Sequence, residues 1–132
     1  MKSFLRSVSI AAAAGIAGAL VNSAAVWAAG HYGLTARAHV RLAPGFTPGW
    51  LYPRIAWGAL WGLLLLVPLL ERRPFWRAVV LSLAPTAAQL LWFFPRTPAG
   101  YLGLSLGALT PVFVFLFNLL WALVAVGWYR AA

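Results

Sequence analysis

The sequence predicts an all-α integral membrane protein, a four-transmembrane-helix bundle with one structured extramembrane connection. Three observations carry that expectation. Of 132 residues, 64% are apolar and only 8% charged, against about 25% charged in an ordinary soluble domain. A chain of this size has no interior large enough to keep so much apolar surface from water. Four apolar runs, at 7–29, 51–70, 78–94 and 106–128, are 17 to 23 residues long, and a bilayer core takes about 17 to 25. What lies between them is too short for a second folded unit, so 1–132 reads as a single transmembrane domain.

The first run, 7–29, follows Lys2 and Arg6 and imitates a secretory signal, with Val26-Trp27-Ala28 as a small-residue cleavage site. It is long for a signal core of about 7–15 residues, so it reads as a retained first helix. Ala11, Gly15, Gly18, Asn22, Ala25 and Ala29 recur at spacings of four and three, which places them on one helix face. Small side chains let helix backbones approach closely where lipid offers no hydrophobic drive to association. That face is expected to be a packing seam.

The connection 30–50 contains a segment that alternates without exception from Leu34 to Leu42. Leu34, Ala36, Ala38, Val40 and Leu42 fall on one side, and Thr35, Arg37, His39 and Arg41 on the other. Period 2 is the mark of a half-buried strand, so an extended 34–42 is expected. An amphipathic interfacial helix is the alternative, because Leu34, Ala38 and Leu42 also fall at i, i+4. A strand here needs a partner for its backbone, either 101–106 or the same segment of a second copy. Pro44-Gly45-Phe46-Thr47-Pro48-Gly49 is turn material that returns the chain to the membrane.

The second run opens on Trp50-Leu51-Tyr52-Pro53-Arg54, which sets a guanidinium about one turn into the membrane beside Trp57 and Trp61. Snorkelling to a lipid phosphate is the plain account of Arg54; recognition of an anion at the mouth of an outer cavity is the sharper one. Small residues continue in Gly58-x-x-x-Gly62, and Gly103-x-x-x-Gly107 reads as the opening of the fourth helix. The expected helix-packing set is therefore Gly15, Gly18, Gly58, Gly62, Gly103 and Gly107. Pro68, Pro85 and Pro111 interrupt the second, third and fourth runs, and each frees the carbonyl four residues earlier, on Leu64, Leu81 and Gly107.

Five polar residues lie within the spans: Asn22, Thr86, Gln89, Thr110 and Asn118. Such groups in lipid turn inward and either join helices or line a path. By depth, Asn22 is level with Gln89 and Thr86 with Asn118, so these are the expected interhelical hydrogen-bonded pairs.

Ten Lys and Arg against the single acid Glu71 give a formal charge of +9. With the N-terminus inside, Lys2, Arg6, Arg72, Arg73, Arg77 and Arg130 collect on the cytoplasmic side and Arg37, Arg41, Arg54 and Arg96 on the other. The bias favours N- and C-termini in the cytoplasm of a bacterial inner membrane. The outer four form a basic collar suited to anions or lipid head groups.

One carboxylate and no Cys leave little for general acid/base, thiol or thiolate-metal chemistry. His31 and His39, without a nearby carboxylate, make a weak metal or haem site. Proton-coupled four-span exporters need an intramembrane carboxylate, which these spans lack. No catalytic residue, metal ligand or cofactor is expected, and no nucleic-acid partner. The expected role is a non-enzymatic packing or accessory subunit in a homo-oligomer or larger membrane complex, in contact with anionic lipid head groups. The alternative is a small channel or transporter for an anionic or neutral solute.

Overall fold

The computed structural model describes residues 2–132, with side chains from Ser3 onward. Lys2, one of the basic residues expected on the cytoplasmic side, therefore has its side chain outside the described residues. The chain is 77% helix, and there is no strand among the described residues. Five α-helices are found among the described residues: α1 (Lys2–His31), α2 (Leu34–Arg37), α3 (Pro48–Gly62), α4 (Pro74–Ala88) and α5 (Thr110–Ala131). Three helical stretches are long and apolar enough to cross a membrane, namely Ser3–His31, Pro74–Arg96 and Thr110–Ala131.

Prolines set several of the boundaries. Thr47 caps α3 with its Oγ1, which accepts from Trp50 N at 3.3 Å, and Pro48 occupies the first turn where its missing N–H is harmless. The expected continuous helix over 51–70 does not form. Regular α-helix ends at Gly62, a 3₁₀ turn continues through Leu63–Leu66, and Val67 is extended at φ −75°, ψ 123°. The cause is Pro68, whose ring drives the preceding residue out of the helical region. The third helix starts at Pro74, earlier than the run at 78–94, and continues past Pro85 through a π turn at Gln89–Phe93 and a 3₁₀ turn at Phe94–Arg96.

The fourth run does not open a helix at residue 106. Gly103 and Gly107 stand in the connection with φ of 67° and 156°, so neither is a helix-packing position. At Gly107 any side chain would strike the His39 carbonyl and Val40. Pro111 sits in the first turn of α5 rather than at a kink.

Residues 34–42 also depart from expectation. They form the one-turn α2, then a reversal in which His39 has φ 60°, then irregular chain. The alternation reproduced a strand period, but the burial phase is different: Thr35 and Val40 are inside, whereas Leu34 is 56% exposed. Thr35 organises the segment, its Oγ1 donating to Leu42 O at 2.9 Å and its carbonyl accepting from Val40 N at 2.9 Å. The expected neighbour does appear in a single rung: Arg41 N donates to Leu106 O at 2.8 Å.

The helices pack in the order α3, α1, α5, α4, with α1 and α5 in the middle. Neighbours are antiparallel. Gly58 meets Ala19 while Gly62 meets Ala11 and Gly15; Asn22 meets Phe117 while Gly15 meets Trp121; Thr86 meets Asn118 while Arg77 meets Tyr129. The start of α1, the α3–α4 connection and the end of α5 thus share one end of the bundle. The core there is Ala-rich, with Ala11, Ala14, Ala78, Ala122 and Ala125 packed against Leu65, Leu81, Trp121 and Val126.

Candidate binding cleft

The α1–α3 seam determines where the site lies. A Cβ on Gly15 would collide with the Gly58 carbonyl, and one on Gly62 would collide with the Ala11 carbonyl. Only glycine permits this approach, and it draws α3 flat against α1. Gly18 clears space for Trp121, whose Nε1 donates to Gly15 O at 3.0 Å. Held on α1, helix α3 forms no extensive interface with α4.

The gap between them is a cleft of about 540 Å³. Helix α3 supplies Trp50, Pro53, Arg54, Trp57, Gly58 and Trp61, a single face at helical spacing. Pro85, Gln89 and Phe93 come from α4 and its π turn, and Phe94 and Thr97 follow. Ala19 and Asn22 of α1 and Asn118 and Trp121 of α5 form the floor. Trp57 and Phe93 meet edge to face across the gap, with ring centroids 5.2 Å apart, and Trp57 stacks towards Trp61 at 6.2 Å.

Arg54 is the charged group in this cleft. It turns inward rather than snorkelling along the helix surface. Its Nε donates to Ser23 Oγ at 3.0 Å and its Nη2 to Asn22 Oδ1 at 2.5 Å, and the guanidinium lies 4.6 Å from the Trp50 ring centroid. Asn22 relays the contact, its Nδ2 donating to Phe117 O at 2.6 Å. One arginine thereby links α3, α1 and α5.

The expected pair Asn22–Gln89 does not form, because Arg54 takes the Asn22 oxygen; a charged donor makes the stronger bond. Gln89 still faces the same cleft. The other pair is present, with Asn118 Nδ2 donating to Thr86 Oγ1 at 3.1 Å. Thr110 lies elsewhere, fully buried, with its Oγ1 unpartnered.

The basic collar does not converge. Arg41 Nη2 donates to Ser105 O, Arg96 Nη1 donates to Trp92 O at 2.9 Å with its guanidinium over the Trp92 ring, and Arg37 is exposed. His31 stacks on Trp27 at 4.7 Å, and no group of three His, Cys, Asp or Glu comes together among the described residues.

Sequence reasoning missed two residues. Arg77, expected only as one of the basic residues on the cytoplasmic side, is 93% buried and donates from Nη2 to Leu65 O at 2.6 Å and Val67 O at 3.2 Å. The Leu65 carbonyl is left open where the second helix breaks, whereas Val67 O also accepts from Leu69 N at 2.8 Å, and a cation suits a helix C-terminus. Pro68 was the signal that such carbonyls exist. Trp121 reads as one of eight tryptophans and carries no sequence mark of its glycine partner.

The cleft therefore offers one guanidinium among aromatic walls and neutral amides. Arginine has five N–H donors, and two are used here. Those on Nη1 have no protein acceptor among the described residues. Such a fork recognises carboxylate or phosphate oxygens. No protein-family model, curated protein or solved structure matches this chain.

Proposed function

We propose that the protein is a non-enzymatic polytopic membrane protein that crosses the bilayer four times, with both termini cytoplasmic. It works as an accessory subunit in a homo-oligomer or larger complex of a bacterial inner membrane. The fourth crossing is α3 with its 3₁₀ extension. Fifteen residues at about 1.5 Å and four at about 2.0 Å rise give roughly 30 Å, the thickness of a bilayer core. The observation that carries the accessory role is the apolar surface left without a protein partner on the outside of the helices. Large apolar side chains such as Leu60, Leu83, Leu91, Val112 and Leu116 are exposed around the bundle, and helix surfaces of this kind face lipid or another helix.

Native mass spectrometry from mild detergent tests the role. More than one copy, or a co-purifying subunit of different mass, is expected; a bare monomer under all mild conditions contradicts it. A second reading, passage of a small anion, is favoured by the convergence of Arg54, Asn22, Gln89 and Asn118 on one cleft. Anion flux in proteoliposomes that falls in both Arg54→Ala and Asn118→Ala would select it over the accessory role.

A further inference from the structure

We infer that the cleft between α3 and α4 is a binding site for one anionic phospholipid, with the phosphate on the Arg54 guanidinium and the upper acyl chain along Trp57 and Trp61. The inference rests on the membrane reading and is independent of any partner subunit.

Charge is the first argument. Arg54 sits among Ser23, Asn22 and Trp50, all neutral. The one acidic side chain in the sequence, Glu71, lies beyond the other end of α3, and the C-terminus shares that distant end through the bond from Arg130 Nη1 to Glu71 O. A cation in low-dielectric surroundings without a counter-ion is unfavourable. An anion that follows the protein into the membrane removes the penalty, and a lipid phosphate is the anion always present there.

Geometry is the second. Arg54 is six residues into α3, so its Cα lies roughly 9 Å below the helix start. That depth is a short step inward from the head-group layer, reached by a phosphate drawn between Trp50 and Gln89. The Nη1 donors are unoccupied and can meet two phosphate oxygens in a forked pair. A volume of about 540 Å³ falls in the range of small-molecule sites, about 300–1,000 Å³.

Access is the third. Because α3 and α4 form no extensive interface, the side of the cleft is spanned by the Trp57–Phe93 ring pair, and Trp57 is 46% exposed. Rotation of those rings opens the cleft sideways to lipid, a route that an acyl chain needs and a water-borne anion does not.

The test uses the full chain in mild detergent, delipidated and then titrated with phosphatidylglycerol, phosphatidylcholine or inorganic phosphate, with adducts read by native mass spectrometry. A single phosphatidylglycerol per chain should persist on activation, with phosphatidylcholine held more weakly and inorganic phosphate not retained. Arg54→Ala should weaken phosphatidylglycerol retention about tenfold. Trp57→Ala, which leaves the Arg54 bonds in place, should also weaken it and keeps the test valid if Arg54→Ala does not fold. Arg37→Ala, at an exposed site, should have no effect.

Equal retention of both lipids, unchanged retention in Trp57→Ala, or an equal loss in Arg37→Ala would overturn the site. Retention of inorganic phosphate in place of lipid would make it a solute site and overturn the lipid assignment. The same spectra report copy number separately, so failure of the lipid site is distinguishable from failure of the accessory role.

Discussion

Two arginines lie within apolar surroundings, and each is held by a different kind of partner. Arg54 bonds to side chains on a neighbouring helix and keeps donors spare. Arg77 bonds to backbone carbonyls where α3 runs out, and its role is structural. Replacing Arg77 by Met keeps most of its bulk and removes both donated bonds. Leaving the buried Leu65 carbonyl open should cost about 1–3 kcal/mol, read as a lower Tm in detergent with lipid retention unchanged, while the Val67 carbonyl keeps its bond from Leu69 N. An unaltered Tm would mean that the Leu65 carbonyl finds another donor. Depth along the spans was enough to foresee Thr86 with Asn118. It did not foresee Asn22 with Arg54, because depth says which groups are level and not which helices adjoin. The role of Arg77 was hidden for another reason: its acceptors are main-chain atoms, which leave no trace in a side-chain pattern.

Among the elements, the α1–α3 seam was the most legible, since Gly15, Gly58 and Gly62 are small at helical spacing and small residues have few other uses inside lipid. The same reasoning failed for Gly103 and Gly107, whose spacing is helical but whose φ values serve turns. The alternation at 34–42 misled because only a few residues there are buried, and a period inferred from composition is not burial. The π turn at Gln89–Phe93, which brings Gln89 and Phe93 to the cleft, has no sequence signature beyond the nearby Pro85. Gly58→Leu should force α3 away from Ala19 and Gly15, destabilising the protein by a few tenths to a few kcal/mol and closing or distorting the cleft. Gly127→Leu is the matched control, because a Cβ there meets nothing within 4 Å, and it should leave stability unchanged or raised. Equal effects of the two substitutions would remove the seam from the account.

For the whole molecule, four antiparallel helical segments set the shape, and the broken segment matters most. If α3 and its 3₁₀ extension cross the bilayer, the α3–α4 cleft faces lipid and Arg54 lies near the head-group layer opposite the termini. If they enter and return, the cleft, the lipid site and the shared side of the termini all fall together. The absence of Cys makes the decisive measurement clean. Single cysteines are placed at Gly45, Glu71 and Ala132, and labelled with a membrane-impermeant maleimide in sealed inner-membrane vesicles of known orientation. With four crossings, Glu71→Cys and Ala132→Cys label on the cytoplasmic side and Gly45→Cys only from the other side. Labelling of Gly45→Cys and Glu71→Cys from the same side, with Ala132→Cys labelled according to three crossings, would contradict that topology.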